Sequence, residues 1–297
     1  MRGVGDGRAG VPRAAGVVAL VACLAGAGAA RADAPERILV VKRAGIAAYQ
    51  EVTDEFRENC RVRARVLDLG GGPLPLRPSD VVLAVGQQAL DEVRKSGARV
   101  VSALALHVPI GTMRADEQPP PELSLKALKV ARPSVRRVGV VYGPRSDRLV
   151  ARMEDAAGPL GLVIVKARAK DGPGAVRQLR RIADAGIVDA LWLAPDLDVL
   201  VPQLFQYALT LEIRTGLPVV AVTRQQVKAG ALLAVDADPR AVGQQAAQLV
   251  NELLAGTPAE EVMAGSTGRL ELVVNAAVAR RLGADVAALK RMGVRVE

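Results

Sequence analysis

The sequence predicts an α/β protein of two doubly wound, Rossmann-like lobes with a ligand cleft between them. Three observations predict it. Apolar runs of strand length alternate with helical patterns along the chain, an order that gives a parallel sheet covered on both faces. The pattern breaks over 111–121, where the chain turns polar and ends in Pro119, Pro120 and Pro121, the composition of a connector. Beyond the break a second strand-helix series begins, long enough for a sheet of its own.

In the first series, 38–41 reads as a strand. A helix over 49–59 carries Val52 and Phe56 on one face. The pattern at 62–69 alternates as a strand, and 70–78 is a Gly/Pro-rich loop. A buried strand follows at 81–85, then a helix at 87–95 and a strand at 99–104. After the connector comes a helix at 123–131, stopped by Arg132-Pro133. Strands are then expected at 138–142, 162–167, 190–193, 218–222, 231–235 and 270–274. Helices are expected at 147–158, 174–185, 199–215, 241–254, 276–282 and 286–291, with Gly256 closing the long one at 241–254.

Residues 1–32 read as a signal peptide and not as part of the fold. Arg2, Arg8 and Arg13 make a basic start, 14–30 is uncharged and rich in Ala, Val, Leu and Gly, and Ala30-Arg31-Ala32 fits a small-x-small cleavage site. The 17-residue run is shorter than the roughly 20 residues a membrane span needs. A second route competes. Leu20-Val21-Ala22-Cys23 resembles a lipobox, which would leave the protein lipid-anchored through Cys23. Either route exports the chain, and the expected location is the periplasm.

Composition narrows the function. Half the residues are apolar and 24% are charged, which is globular. The net charge of +9 falls to +6 without residues 1–32, where four arginines face one aspartate. Clusters such as Arg61, Arg63, Arg65 and Arg177, Arg180, Arg181 have no accompanying basic-plus-aromatic motif, so they read as solvated faces and no nucleic-acid partner is expected. Past residue 32 Cys60 is the one cysteine, so no intramolecular disulfide is available. The single histidine, His107, removes most His-based metal and triad chemistry. Gly70-Gly71-Gly72 leads into Pro73, Pro75 and Pro78, which cannot open the helix a dinucleotide fingerprint requires. No phosphate loop, nucleophile elbow or zinc spacing occurs. The reading is a binding protein without cofactor or metal, and not an enzyme.

Open α/β sheets bind ligands outside the carboxyl ends of their strands. That rule selects Gly45, Gly86, Gln87 and His107 in the first lobe, and Tyr142, Arg145, Ser146, Asp196, Thr223 and Arg224 in the second, with Asp236 a further candidate. Arg145 and Arg224 could clamp an anion. Asp196 or Asp236 could hold an ammonium group. Each has a competing role: Ser146 and Asp196 are good helix caps, Gly86 can simply end a strand, and Tyr142 can belong to the core. Trp192, inside an apolar strand, reads as core.

Residues 135–282 carry a more specific pattern. It runs from Val138-Gly139-Val140-Val141-Tyr142-Gly143-Pro144 through Leu160-Gly161-Leu162 and Val188-Asp189-Ala190-Leu191-Trp192-Leu193-Ala194-Pro195-Asp196. It continues with Gly216-Leu217-Pro218-Val219-Val220-Ala221, Lys228-Ala229-Gly230-Ala231-Leu232, Val242-Gly243-Gln244-Gln245-Ala246-Ala247 and Glu271-Leu272-Val273-Val274-Asn275. In order and spacing this resembles the ABC-transporter substrate-binding protein family with a type I periplasmic-binding fold, whose members include tryptophan- and tyrosine-binding proteins. A weaker likeness extends to Asp80-Val81-Val82-Leu83-Ala84-Val85-Gly86-Gln87-Gln88-Ala89-Leu90. The resemblance implies three crossings between lobes, with residues 36–115 and 237–258 in the first and 120–234 and 265–297 in the second. It implies a monomer that closes on an amino-acid-like ligand or small carboxylate and delivers it to a membrane permease. The alternatives are a periplasmic sensor for a membrane signalling partner and an enzyme on the same scaffold. The turn Gly143-Pro144-Arg145-Ser146 and the pair Thr223-Arg224 differ from the family's usual Asn-Pro-Ser-like turn and Ser-Asp pair, and both fall in expected ligand loops.

Overall fold

The computed structural model describes residues 37–116, 118–263, 269–293 and 295–296. The leader expected at 1–32, with Cys23, lies outside the described residues. Every described element falls within one compact unit, Asp33–Glu297.

Two sheets form the framework. The first holds β1 (Ile38–Lys42), β2 (Arg65–Asp68), β3 (Val81–Val85), β4 (Arg99–Ala103) and β5 (Met113–Arg114), in the order β2-β1-β3-β4-β5 and all parallel. The second holds β6 (Arg137–Tyr142), β7 (Val163–Arg168), β8 (Ala190–Leu193), β9 (Val219–Ala221), β10 (Leu233–Ala237), β11 (Leu270–Val274) and β12 (Arg295–Val296), in the order β12-β11-β10-β9-β8-β6-β7. The central strands β1 and β3 are buried along their whole length, which is why they read as unbroken aliphatic runs.

Helices cover both faces of each sheet. On the first, α1 (Ala47–Asn59), α8 (Pro239–Leu254) and α9 (Ala259–Met263) bury one face through Val52, Phe56, Val242, Ala246, Val250 and Val262. The opposite face is covered by α2 (Gln87–Val93), by Leu69 just after β2, and by Leu74 and Leu76 of the Gly/Pro-rich loop. On the second, α3 (Pro121–Ala131), α4 (Asp147–Ala157), α10 (Ala276–Arg281) and α11 (Val286–Arg291) enclose one core. On its other face lie α5 (Gly172–Asp184), α6 (Pro202–Thr215) and α7 (Arg224–Lys228). Trp192 sits in the core of the α3 face, and its indole N–H donates to Ser124 Oγ at 2.8 Å.

The chain leaves the second sheet after β10, and α8 then packs on the first. Gly243 permits that contact. A Cβ there would stand 2.6 Å from the Val52 carbonyl oxygen and 2.6 Å from Glu55 Cβ, so any side chain would push α8 off α1. The close approach buries Phe56 completely, worth about 2–3 kcal/mol for such a side chain.

Three expectations are corrected. The stretch read as a pure connector contains β5, the fifth strand of the first sheet. The second sheet is not wholly parallel, because β11 runs antiparallel to β10. The strand expected from 62 begins at Arg65, because Asn251 of α8 accepts the Arg61 N–H at 2.9 Å and holds 61–64 as a loop.

Candidate functional site

Each sheet reverses its strand order once, and each reversal opens a crevice at the carboxyl ends of two strands. In the first sheet the reversal lies between β1 and β3, in the second between β6 and β8. Both crevices are bounded by residues that the sequence nominated, and the two are filled differently.

In the first crevice Tyr49, from the first turn of α1, lies against Gly86, the residue before α2. Gly86 has φ of +87°, and a Cβ there would stand 2.3 Å from the Tyr49 hydroxyl oxygen. Glycine is thus required twice, by its backbone conformation and by the ring beside it. Burial raises the Tyr49 pKa, and the charge of Arg43 opposes that rise. Arg43 follows β1, is exposed, and forms no ion pair among the described residues. Gly45 makes the turn between them with φ of +79°. The α1 N-terminus has no side-chain cap and no acidic residue in its first turn, which leaves its N–H groups and positive dipole end suited to an anion.

The loop after β4 is held from three sides. Gln87 Oε1 accepts the His107 N–H at 2.9 Å, and Gln87 Nε2 donates to the His107 carbonyl at 3.3 Å. Asp116 accepts the Leu104 N–H at 3.1 Å, and Arg114 donates to the Ala105 carbonyl at 3.1 Å. Leu104 has φ of +52° and is the one non-glycine with positive φ among the described residues. A branched residue there is strained, and strain of this kind persists where neighbours over-determine the conformation. His107 Nδ1 is buried and has no hydrogen-bond partner among the described residues.

The second crevice is closed by Asp196. This carboxylate is 0% exposed. Its Oδ2 accepts from Gly143 N at 2.9 Å and from Ser146 Oγ at 2.6 Å, and its Oδ1 accepts from Asp198 N at 3.0 Å. Asp196 and Ser146 therefore tie the β6 and β8 loops together, and their polar atoms are spent on protein partners. Tyr142 is only 9% exposed and packs in the core. Arg145 stands at the rim, 65% exposed, with its Nε 3.3 Å from Asp198 Oδ2.

Thr223 is a helix cap. It forms a reciprocal capping box with Gln226 at the start of α7. Arg224 is ion-paired with Glu271 of β11 and is 13% exposed, while its backbone N–H donates to Asp236 Oδ2 at 2.7 Å. Arg145 and Arg224 are thus each engaged by a different carboxylate, and the structure does not assemble them into a clamp. Burial raises the Asp236 pKa, and the nearby charge of Asp116 adds to the rise. Burial raises Asp116 likewise, against the pull of Arg114. Asp116 follows β5 of the first sheet, and Ala237, next to Asp236 at the end of β10, packs in the core of the first lobe.

Sequence reasoning passed over Arg43, Tyr49, Arg114 and Asp116. Arg43 and Tyr49 flank the nominated Gly45 turn and could have been found by extending that loop by a few residues each way. Arg114 and Asp116 lay in a stretch read as connector, and no sequence signal marked them.

Two mainly parallel-stranded lobes, each with one strand reversal, make up the described structure. The profile of the family described as ABC transporter substrate binding protein matches residues 119–289, and the chain belongs to that family. Solved structures agree in fold. An ABC domain from Streptococcus pneumonia in complex with L-Trp superposes with a TM-score of 0.67 at 16% identity, covering 88% of this chain and 99% of that one. A conserved domain protein from Vibrio cholerae gives 0.62 at 18%, covering 88% and 99%. A substrate-binding protein with adhesive properties from Clostridium difficile, in its ligand-free, open form, gives 0.60 at 14%, covering 84% and 95%. No curated protein matches the chain. The family is one of transporter-associated binding proteins, and the fold is the type I periplasmic-binding fold.

Proposed function

We propose that this protein is the exported solute receptor of an importer, binding a small amino-acid-like or carboxylate ligand between its two strand-reversal crevices and presenting it to a membrane permease. The observation that carries the reading is the first crevice. Arg43 is exposed and has no ion pair among the described residues, beside an α1 N-terminus without a side-chain cap, a ready site for a carboxylate. His107 offers a buried ring nitrogen with no hydrogen-bond partner among the described residues, on a loop held from three sides.

Arg145 is the corresponding cation on the second lobe. Gly45, Gly86 and Tyr49 shape the first crevice, while Gln87, Ser146, Asp196 and Thr223 position loops from behind. Asp236, beside Asp116, is the group an ammonium would neutralise. The L-Trp seen in the pneumococcal structure is one member of the ligand class proposed.

The ligand leaves unchanged. Contacting both lobes, it favours the closed arrangement by its differential affinity. The sequence features of residues 1–32 support export, to the periplasm either free or tethered through Cys23. A thermal-shift screen of the unit Asp33–Glu297 against amino acids, aromatic acids, sugars, nucleosides and small anions tests the reading. A ligand specific to the folded state adds about 2.7 kcal/mol at a hundredfold excess over Kd. A saturable shift with ligand recovered intact is expected. Ligand consumed, or no amino acid or carboxylate active while another class is, contradicts it.

A further inference from the structure

We propose that Asp116 and Asp236 form a proton-sensitive positioning pair, which joins the strand-end loops of the two lobes and sets how readily the lobes close. Asp116 follows β5, on the stretch that carries the chain out of the first sheet, and is 6% exposed. Its Oδ1 accepts the Leu104 N–H at 3.1 Å, and its Oδ2 accepts from Arg114 Nη2 at 3.0 Å. The same Arg114 nitrogen donates to the Ala105 carbonyl at 3.1 Å. Asp116 and Arg114 thus grip the root of the loop that carries His107.

Asp236 makes the matching contacts for the second lobe. Its Oδ2 accepts the N–H of Arg224, the first residue of α7, at 2.7 Å. Its Oδ1 accepts the N–H of Ala237 at 2.9 Å, and Ala237 packs in the core of the first lobe. Each carboxylate therefore holds a strand-end loop of a different lobe, and each stands where the chain passes from one lobe to the other. The charge of Asp116 acts on Asp236. The other charged groups facing the pair among the described residues are Arg114 of β5, Arg224 of α7 and Glu271 of β11. Glu271 is in register with Asp236 and ion-paired with Arg224.

Two buried carboxylates that approach one another bind a proton more tightly the closer they come, because like charges disfavour the doubly ionised state. Burial raises the pKa of both, and the charge of Asp116 raises Asp236 further. Both lie at or just past the carboxyl ends of their strands, the ends at which the crevices open. Closing the crevices on one another therefore brings the pair together. The closed arrangement holds the proton more tightly, so by linkage it gains population as pH falls and loses it as pH rises through the titration of the pair. Each tenfold gain in proton affinity on approach raises the closed-to-open ratio by up to about tenfold. An ammonium on the ligand would act on the pair as the proton does. The pair is thus a regulator of the cleft proposed above and rests on that reading, but the free protein reveals it without any ligand.

The test is small-angle X-ray scattering of the unit Asp33–Glu297 without ligand at pH 5 and pH 8. A smaller radius of gyration at pH 5 is expected. Asp236→Asn and Asp116→Asn each remove one charge and keep an acceptor oxygen for the loop, and either should show the smaller radius at both pH values. Should one of them fail to fold, the other and the wild-type comparison still decide. Glu212→Gln should respond to pH as wild type does. Equal wild-type radii at the two pH values, or a larger radius at pH 5, overturns the proposal. So does a pH response that survives in the Asn variants or is lost in Glu212→Gln, which would place the titrating group elsewhere. None of these measurements uses a ligand, so they stand or fall apart from the thermal-shift screen.

Discussion

Gln87 and His107 are joined at two points, the amide oxygen taking the His107 N–H at 2.9 Å and the amide nitrogen reaching its carbonyl at 3.3 Å. A side chain at the head of α2 thus fixes the backbone of the next strand-end loop. Together with Asp116 and Arg114 it keeps Leu104 in a left-handed conformation that a leucine would otherwise leave.

Gln87→Ala should therefore release the loop without unfolding the lobe. A net hydrogen bond contributes about 0.5–1.5 kcal/mol, so the His107 amide should exchange with solvent roughly 2- to 12-fold faster while the β3 amides do not change. Unchanged exchange at His107 would mean the grip is incidental.

Asp196 holds three groups from inside the second crevice. Asp196→Ala leaves the Gly143 N–H and the Ser146 hydroxyl buried without an acceptor, at about 1–3 kcal/mol each. A loss of about 3 kcal/mol or more in urea melts is expected, and about 1 kcal/mol for Ser146→Ala. A ligand role alone would leave the stability of the free protein unaltered.

Gly243→Ala tests the docking of α8 on α1. The new methyl would meet backbone at 2.6 Å, a contact no rotamer relieves. Overpacking of this kind costs about 1–3 kcal/mol. A variant as stable as wild type would show that the two helices can part freely.

Glu212 of α6 gives stability a pH dependence. It is fully buried, its Oε1 accepts the Val219 N–H at 2.8 Å, and burial pushes its pKa up to about 7 against the pull of Arg281. The folded value lies above the ordinary 4.5, so the protonated carboxyl favours the fold. The contribution is complete below about pH 4.5 and is lost as pH rises through about 7, at most about 3 kcal/mol. Urea melts at pH 5 and pH 8 should differ by less in Glu212→Gln than in wild type. Equal differences would remove Glu212 as the cause.

Most of the fold was legible because buried parallel strands announce themselves. Val81–Val85 is five apolar residues, and the structure buries all five. Short elements were not. β5 is two residues, Met113 and Arg114, held by pairing with β4, and a two-residue strand has no periodicity to read. The helix expected from 199 begins at Pro202, because the Asp196 carbonyl accepts the N–H groups of Val199 and Leu200 and turns the chain there. The candidate site was legible only as strand-end positions. Strand-end position marked Gly86 and Gln87, but whether a carboxylate is free or spent depends on partners far away in sequence. Asp196 is spent on residues some fifty positions earlier, and Arg224 on Glu271.

In the proposed complex one ligand bridges both crevices, held by Arg43 on the first lobe and Arg145 on the second. Calorimetric titration of the ligand selected by thermal shift into wild type, Arg43→Ala and Arg145→Ala tests it most directly. Each substitution should weaken binding at least about tenfold, the loss of a charge-assisted hydrogen bond, with the melting temperature of the free protein unchanged. Wild-type affinity in either variant would place the ligand on one lobe alone and rule out a bridging ligand.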